Sequence, residues 1–322
     1  MIVLAIGEIG LRIVDLGHPY ESEPDSYLAV ADPEVLFAPK PGFRGFSEGT
    51  QVAISPQGLR DREYSPTAPA NTTRLLILGD SVTFGAGVLS AETFSKQLET
   101  RLNASGNGRA FEVVNTGVIG YNTIQERARL EQVGLGLHPD LVVLTFVVND
   151  LLDTFSIFDH QYDPVGPLAP VKQWLRRNSR LYRFYQNVSW RLVDAIRKDP
   201  NRPEVPRDRQ RVAERQAEVV RIAQLSRDHG AGFLLMLYPD NLYQQVSPDP
   251  SGHAETVREN FVEFARANGL PLLDLTDALG DVRDPRSRTM RLREDPHPSP
   301  AGHQAIAEAL YDTLFAQGLL AP

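Results

Sequence analysis

The segment Leu75–Val88 reads LLILGDSVTFGAGV: an apolar run of strand length breaks at Gly79, presents Asp80 and Ser81, and enters a loop holding Gly85 and Gly87. A serine at a strand end is held by its backbone while its hydroxyl faces a ligand, an arrangement suited to attack on a carbonyl carbon. A hydroxyl is a weak nucleophile and needs a base, which in turn needs a third group to orient it. Of the seven histidines, only His297 stands beside carboxylates and just ahead of a helix, in Arg293-Glu294-Asp295-Pro296-His297-Pro298-Ser299. Pro296 and Pro298 stiffen the backbone on either side of it, and Asp295 or Glu294 is placed to hold the imidazole tautomer. His303, in the first turn of the helix that follows, reads as structural, and its spacing from His297 matches no familiar metal site.

Carbonyl chemistry also needs donors for the developing oxyanion. Two segments supply them: VVNTGVIGYNT, Val113–Thr123, offers the backbone N–H of Gly120, and FVVND, Phe146–Asp150, offers the side-chain amide of Asn149. Phosphate cradling is disfavoured, because the serine loop has no lysine and no G-x-x-x-x-G-K-[ST] pattern. The G-x-S-x-G elbow of ordinary α/β hydrolases is absent as well.

These residues need a frame that brings them together. Short apolar runs at Arg74–Leu78, Phe111–Val114, Leu141–Val147, Gly232–Leu237 and Leu270–Leu275 read as strands. The third and fourth show no polar alternation, as expected of strands covered on both faces. Helical patterns fall between them: Phe94, Leu98 and Leu102 repeat every four residues, and Thr123 with Glu126 has capping-box spacing for a helix through about Gly134. Arg209–His229 forms a long charged helix, and Ser299-Pro300 opens a last one through about Phe315. Strands alternating with helices predict a parallel sheet of about five strands between two helical layers, a three-layer α/β/α domain over residues 71–322. Residues 17–70 read as an extended arm. A helical insertion over about 151–208 carries both tryptophans, Trp174 and Trp190, among many arginines, and reads as a packed insertion, a lid over the cleft, or a surface that meets a membrane or partner.

Composition narrows the chemistry. The chain of 322 residues has no cysteine, which removes thiol nucleophiles, disulfides and thiolate metal sites. Its formal charge of −8 disfavours nucleic acid as a partner. Residues 1–16, MIVLAIGEIGLRIVDL, are apolar but interrupted by Glu8, Arg12 and Asp15, and fall short of the roughly 20 apolar residues of a membrane span. They read as an amphipathic helix or the remnant of an anchor, so membrane proximity through the N-terminus stays open, and with it a cytoplasmic or an extracytoplasmic location.

The four segments, in order, resemble the blocks of the SGNH (GDSL-type) hydrolases. GDSVTFG is similar to the nucleophile block, with Val82 where leucine is common; NTGVIGYNT resembles the glycine block; VVND resembles the asparagine block, with Val147 replacing its glycine; DPHPSPAGH resembles the histidine block. Upstream, Ser55-Pro56-Gln57-Gly58-Leu59-Arg60-Asp61 resembles a segment that precedes these blocks in bacterial members. The resemblance covers about residues 71–315 and implies a flavodoxin-like fold. It also implies Ser81 as nucleophile, His297 as base, and Gly120 and Asn149 as oxyanion donors. The Asp-Pro-His frame favours Asp295 over Glu294 as the orienting acid. The expected activity is acyl or acetyl ester hydrolysis on a small-molecule or carbohydrate-linked ester, with no metal and no cofactor. The same residues would serve an O-acyltransferase acting on a carbohydrate, and a non-catalytic binding module would use the same cleft.

Overall fold

A computed structural model describes residues 2–14, 24–104, 108–154, 168–182, 184–185, 188–189, 205–239, 253–280, 285–292 and 295–320. Helix α1 (Ile2–Ile13) comes first, followed by two short antiparallel ribbons, β1 (Tyr27–Ala29) with β2 (Phe37–Pro39) and β3 (Arg44–Ser47) with β4 (Thr50–Ala53). The central sheet is made of β5 (Thr72–Leu78), β6 (Ala110–Asn115), β7 (Leu141–Phe146), β8 (Gly232–Leu237) and β9 (Leu272–Asp274). All its pairings are parallel, in the order β6-β5-β7-β8-β9. The five expected strands are all present, with ends shifted by a few residues at most.

The helices are α2 (Ser81–Phe84), α3 (Phe94–Ala104), α4 (Thr123–Arg129), α5 (Ala169–Asn178), α6 (Val205–Asp228), α7 (His253–Ala267), α8 (Thr276–Leu279) and α9 (Pro300–Ala316). The period-2 pleat sends alternate side chains of each strand to opposite faces. Leu75, Ile77, Val143, Leu234 and Met236 pack on one side with Phe94 and Leu98 of α3 and Ile306 and Leu310 of α9. Leu76, Leu78, Val142, Leu144 and Leu235 pack on the other with Ile222 of α6 and Phe261 of α7. Every residue of β7 is buried, which is why its sequence shows no alternation. The architecture is three-layered, α/β/α and flavodoxin-like.

The ribbons lie over the loops that follow β5 and β6. Tyr27 and Phe37 join Val118, Tyr121 and Ala128 in one apolar cluster, and Val52 and Ile54 join Phe84 in another. The expected capping box is displaced by one residue. Asn122, not Thr123, caps α4 by accepting from the N–H groups of Ile124 and Gln125, and Gln125 accepts the N–H of Asn122 in return. Asparagine competes well for this position because its short amide reaches the orphan N–H groups. Glu126, in the first turn, is buried. Regular α-helix also ends at Arg129, where a π-helical turn takes over as far as Gly134. Of the insertion expected over 151–208, residues 155–167, 183, 186–187 and 190–204 lie outside the described residues.

Candidate active site

In this strand order the chain leaves β5 to one side, then crosses back to build β7 on the other. The carboxyl edge between β5 and β7 is therefore the switch point where α/β sheets bind ligands. Ser81 follows β5, Gly120 lies beyond β6, and Asn149 follows β7. Helix α2 starts at Ser81 itself. Asp80 caps it, its Oδ1 accepting the Val82 N–H at 2.9 Å, and Gly85 closes it in the left-handed region at φ +86°. Arg60, from the segment noted upstream of the sequence blocks, lies buried beneath this turn. It donates to the carbonyls of Phe84 (2.7 Å), Gly85 (2.5 Å) and Val88 (2.5 Å), and so ties down the end of the helix that carries Ser81.

His297 Nε2 lies 2.7 Å from Ser81 Oγ, and its Nδ1 lies 2.6 Å from Asp295 Oδ1. The same Asp295 oxygen accepts the backbone N–H of His297 at 2.8 Å, so one carboxylate fixes both ring and main chain. The loop is pinned further by Leu292 N–H donating to the His297 carbonyl and by the Tyr238 hydroxyl, at the end of β8, donating to the Pro296 carbonyl. Burial by itself would push His297 down, but the Asp295 carboxylate, with Asp80 and Glu48 beyond it, raises it above its ordinary value. Asp295 is lowered: burial opposes ionisation, and the hydrogen bonds and charge of His297 outweigh it. Glu294 lies outside the described residues.

The loop after β6 is laced to the serine turn. Val118 N–H donates to the Gly79 carbonyl, and Asn115 Nδ2 donates to the Thr83 carbonyl at 2.8 Å. A Cβ at Gly117 would stand 2.3 Å from the Phe84 nitrogen, so only glycine lets this loop press against α2. The Tyr121 N–H bonds back to the Val118 carbonyl, which puts Gly120 at the third position of a tight turn with φ +74°. That backbone geometry is easy for glycine and strained for other residues.

The Asn149 amide, expected as a donor, is itself held by a neighbour. Its Nδ2 donates to Asp80 Oδ2 at 2.8 Å, and the Ser81 hydroxyl lies 3.2 Å from the same oxygen. One N–H of the amide is therefore committed, and the other remains to meet a ligand. Behind this pair is a group that sequence reasoning missed. Asp80, Glu126 and Asp150 are all buried, and Arg215 of α6 reaches the same interior. Arg215 Nε donates to the Asp150 carbonyl at 2.6 Å and its Nη2 to the Leu152 carbonyl at 3.0 Å, clamping the turn that carries Asn149. Asp150 also caps that turn through the Val147 N–H at 3.1 Å. Among the described residues neither oxygen of Glu126 has a hydrogen-bond partner. Burial first, then the neighbouring Asp150 and Asp80 charges, raises Glu126 well above the ordinary carboxylate range. Asp150 is raised for the same reasons, with the Asp80 charge adding to burial. No cap pattern in the sequence records that Glu126 is buried, and helical periodicity alone leaves a first-turn glutamate exposed.

His303 is fully buried inside α9, its Nδ1 accepting the Phe94 N–H at 3.1 Å and its ring stacked on Phe94. Ser81, His297, Asp295, Gly120 and Asn149 thus share one sheet edge, while His303 stands apart from them. Among the described residues no group of three or more His, Asp and Glu side chains is arranged to hold a metal ion.

The model of the GDSL-like Lipase/Acylhydrolase family matches residues 77–305. No curated protein matches the chain. Among solved structures, that of TesA is similar at 20% identity and a TM-score of 0.49, covering 77% of this chain and 100% of that one. The esterase EstA from Pseudoalteromonas sp. is similar at 15% identity and a TM-score of 0.47, covering 77% and 100%. A lipase/acylhydrolase from Enterococcus faecalis is similar at 18% identity and a TM-score of 0.47, covering 78% and 98%.

Proposed function

The chain belongs to the GDSL-like lipase/acylhydrolase family, and from that premise we propose that it is a serine ester hydrolase working through a Ser81 acyl-enzyme. The observation that carries this reading is the run from Asp295 through His297 to Ser81, with contacts of 2.6 and 2.7 Å, at the switch point of the sheet. Asp295 holds Nδ1 protonated, which leaves the Nε2 lone pair facing the hydroxyl. Ser81 Oγ attacks the ester carbonyl as its proton passes to His297 Nε2, and the resulting imidazolium is stabilised by the Asp295 charge. The tetrahedral oxyanion is met by the backbone N–H groups of Ser81 and Gly120 and by the Asn149 N–H that Asp80 does not use. Collapse breaks the ester C–O bond, and the leaving alkoxide takes the proton from His297. Water, deprotonated by the same base, then attacks the acyl-enzyme, releases the acid and restores Ser81.

The test is labelling of the purified chain with a fluorophosphonate, followed by peptide mapping, beside hydrolysis of a short-chain aryl ester. The expected outcome is a single adduct on Ser81, absent in Ser81→Ala together with turnover. An adduct on another residue, or turnover surviving in Ser81→Ala, would overturn the assignment.

A further inference from the structure

Far from the switch point in sequence, α1 and α5 meet at one junction. Glu8 of α1 accepts the Ser179 hydroxyl at 2.9 Å and the N–H groups of Arg180 and Leu181 at 3.0 Å each, capping the helical turn that follows α5. Arg12 pairs with Glu8 and donates to the Asn178 carbonyl at 3.1 Å. Although burial opposes it, these N–H donors bring the Glu8 carboxyl down to about 2, so the junction is an ionised, fully occupied cap. It joins the two helices into one body.

That body leaves several apolar side chains in water. On α1, Ile6, Ile9 and Ile13 recur at helical spacing, on a stripe turned away from Gly7 and Glu8, and all three are exposed, Ile6 at 65%. On α5, Val171 and Trp174 are exposed, Trp174 at 62%, and Tyr185 beyond it at 66%. Single exposed apolar residues are ordinary, but a concentration of them marks a surface that something covers. The charge pattern says what. From residue 164 to 193 the sequence holds six basic residues (Lys172, Arg176, Arg177, Arg180, Arg183 and Arg191) and no Asp or Glu, in a chain of net charge −8. A second copy would bring the same cluster of positive charge against itself. A bilayer with anionic headgroups offers both an apolar phase and the opposite charge. Apolar stripes with Trp and Tyr, flanked by Lys and Arg, are what helices lying in a membrane interface present. Among the described residues no helix is long and apolar enough to cross a membrane, so this body is suited to lying on the surface.

We propose that the α1–α5 body docks the chain on an anionic lipid surface. The proposal is independent of the esterase reading, because none of its residues belongs to the Ser81 site.

Both tryptophans of the chain, Trp174 and Trp190, lie in this stretch, so tryptophan emission reports on it alone. The full chain is mixed with vesicles of phosphatidylcholine containing phosphatidylglycerol, and separately with pure phosphatidylcholine vesicles, then sedimented. Co-sedimentation and a blue shift of emission are expected with the anionic vesicles only, weakening as salt rises. Lys172→Gln with Arg176→Gln should weaken binding about 25-fold, at about fivefold per charge, and Ile9→Asp should weaken it by a similar amount. Both variants should hydrolyse a soluble aryl ester at the wild-type rate, which shows that they fold. Equal binding to both vesicle types, binding to neither, or a dimer in sedimentation velocity whose tryptophans are already shielded would each overturn the proposal.

Discussion

Asn149 donates its side-chain N–H to Asp80 Oδ2 at 2.8 Å, across the switch point between the first and third strands of the parallel sheet. The residue that precedes Ser81 therefore orients the amide that the proposed mechanism uses as an oxyanion donor. Asn149→Ala should lower kcat about 100- to 1,000-fold with little change in KM, the range for loss of one oxyanion donor. Asp80→Asn should lower the same parameter, because two amides facing each other no longer fix which N–H points at the ligand. If both act through one geometry, the double variant should be no worse than the poorer single. Steady-state kinetics of the three variants check this, and simple additivity would mean that the two residues act separately.

In the proposed mechanism His297 must be neutral to accept the proton of Ser81, and Asp295 raises it above its ordinary value. Activity should therefore rise along an acid limb centred above pH 6.5 and level off as the imidazolium is lost. Replacing Asp295 by Asn removes the charge while burial remains, so the limb should move to lower pH while the plateau falls about 100-fold or more. A pH–rate profile of both proteins reads limb and plateau separately.

Glu126 is a buried carboxyl whose folded value stands well above its unfolded one. Such a group binds a proton in the folded chain and not in the unfolded chain over the interval between the two values, so folding stability falls as pH rises through that interval. Glu126→Gln keeps the shape and removes the titration. The variant should be more stable than wild type at pH 8 and lose that advantage at pH 5, as followed by urea unfolding at the two pH values. An advantage independent of pH would place Glu126 outside the charged cluster.

The sign is opposite for His303. Burial, with Arg60 and His297 adding to it, lowers the His303 imidazole to about 3. The unfolded chain takes up its proton near pH 6.5 and the folded chain does not, so stability is lost as pH falls from about 6.5 toward 3. Between pH 7 and pH 5 the loss from this one group is about 2 kcal/mol. His303→Asn, which keeps an acceptor for the Phe94 N–H, should be weaker at pH 7 yet lose less stability on going to pH 5.

Much of the frame was legible because it depends on local pattern. Strands buried on both faces leave uninterrupted apolar runs, as in LVVLTF of β7, and Ser299-Pro300 opens a helix because the cap hydroxyl and the fixed proline φ act within one turn. The Thr123–Glu126 capping box failed on the same local ground. Asn122 precedes it and competes for the same orphan N–H groups, and which face of α4 turns inward is set by the elements it packs against, which no cap pattern records.

What the sequence determined by itself is the chemistry on offer: no thiol, one serine at a strand end, one histidine stiffened by prolines beside acids, and two segments that can offer N–H donors. Which of these residues meet was decided by the sheet. Strand order places ends distant in sequence on one edge, and that order is set by packing between faces rather than by any local signal. The choice of Asp295 at 2.6 Å from His297, the capture of Asn149 by Asp80 and the Arg215 clamp on the Asn149 turn are all contacts of tertiary origin. A side chain's partner depends on distances of a few ångströms between elements far apart in the chain, and residue type and spacing carry no record of those distances.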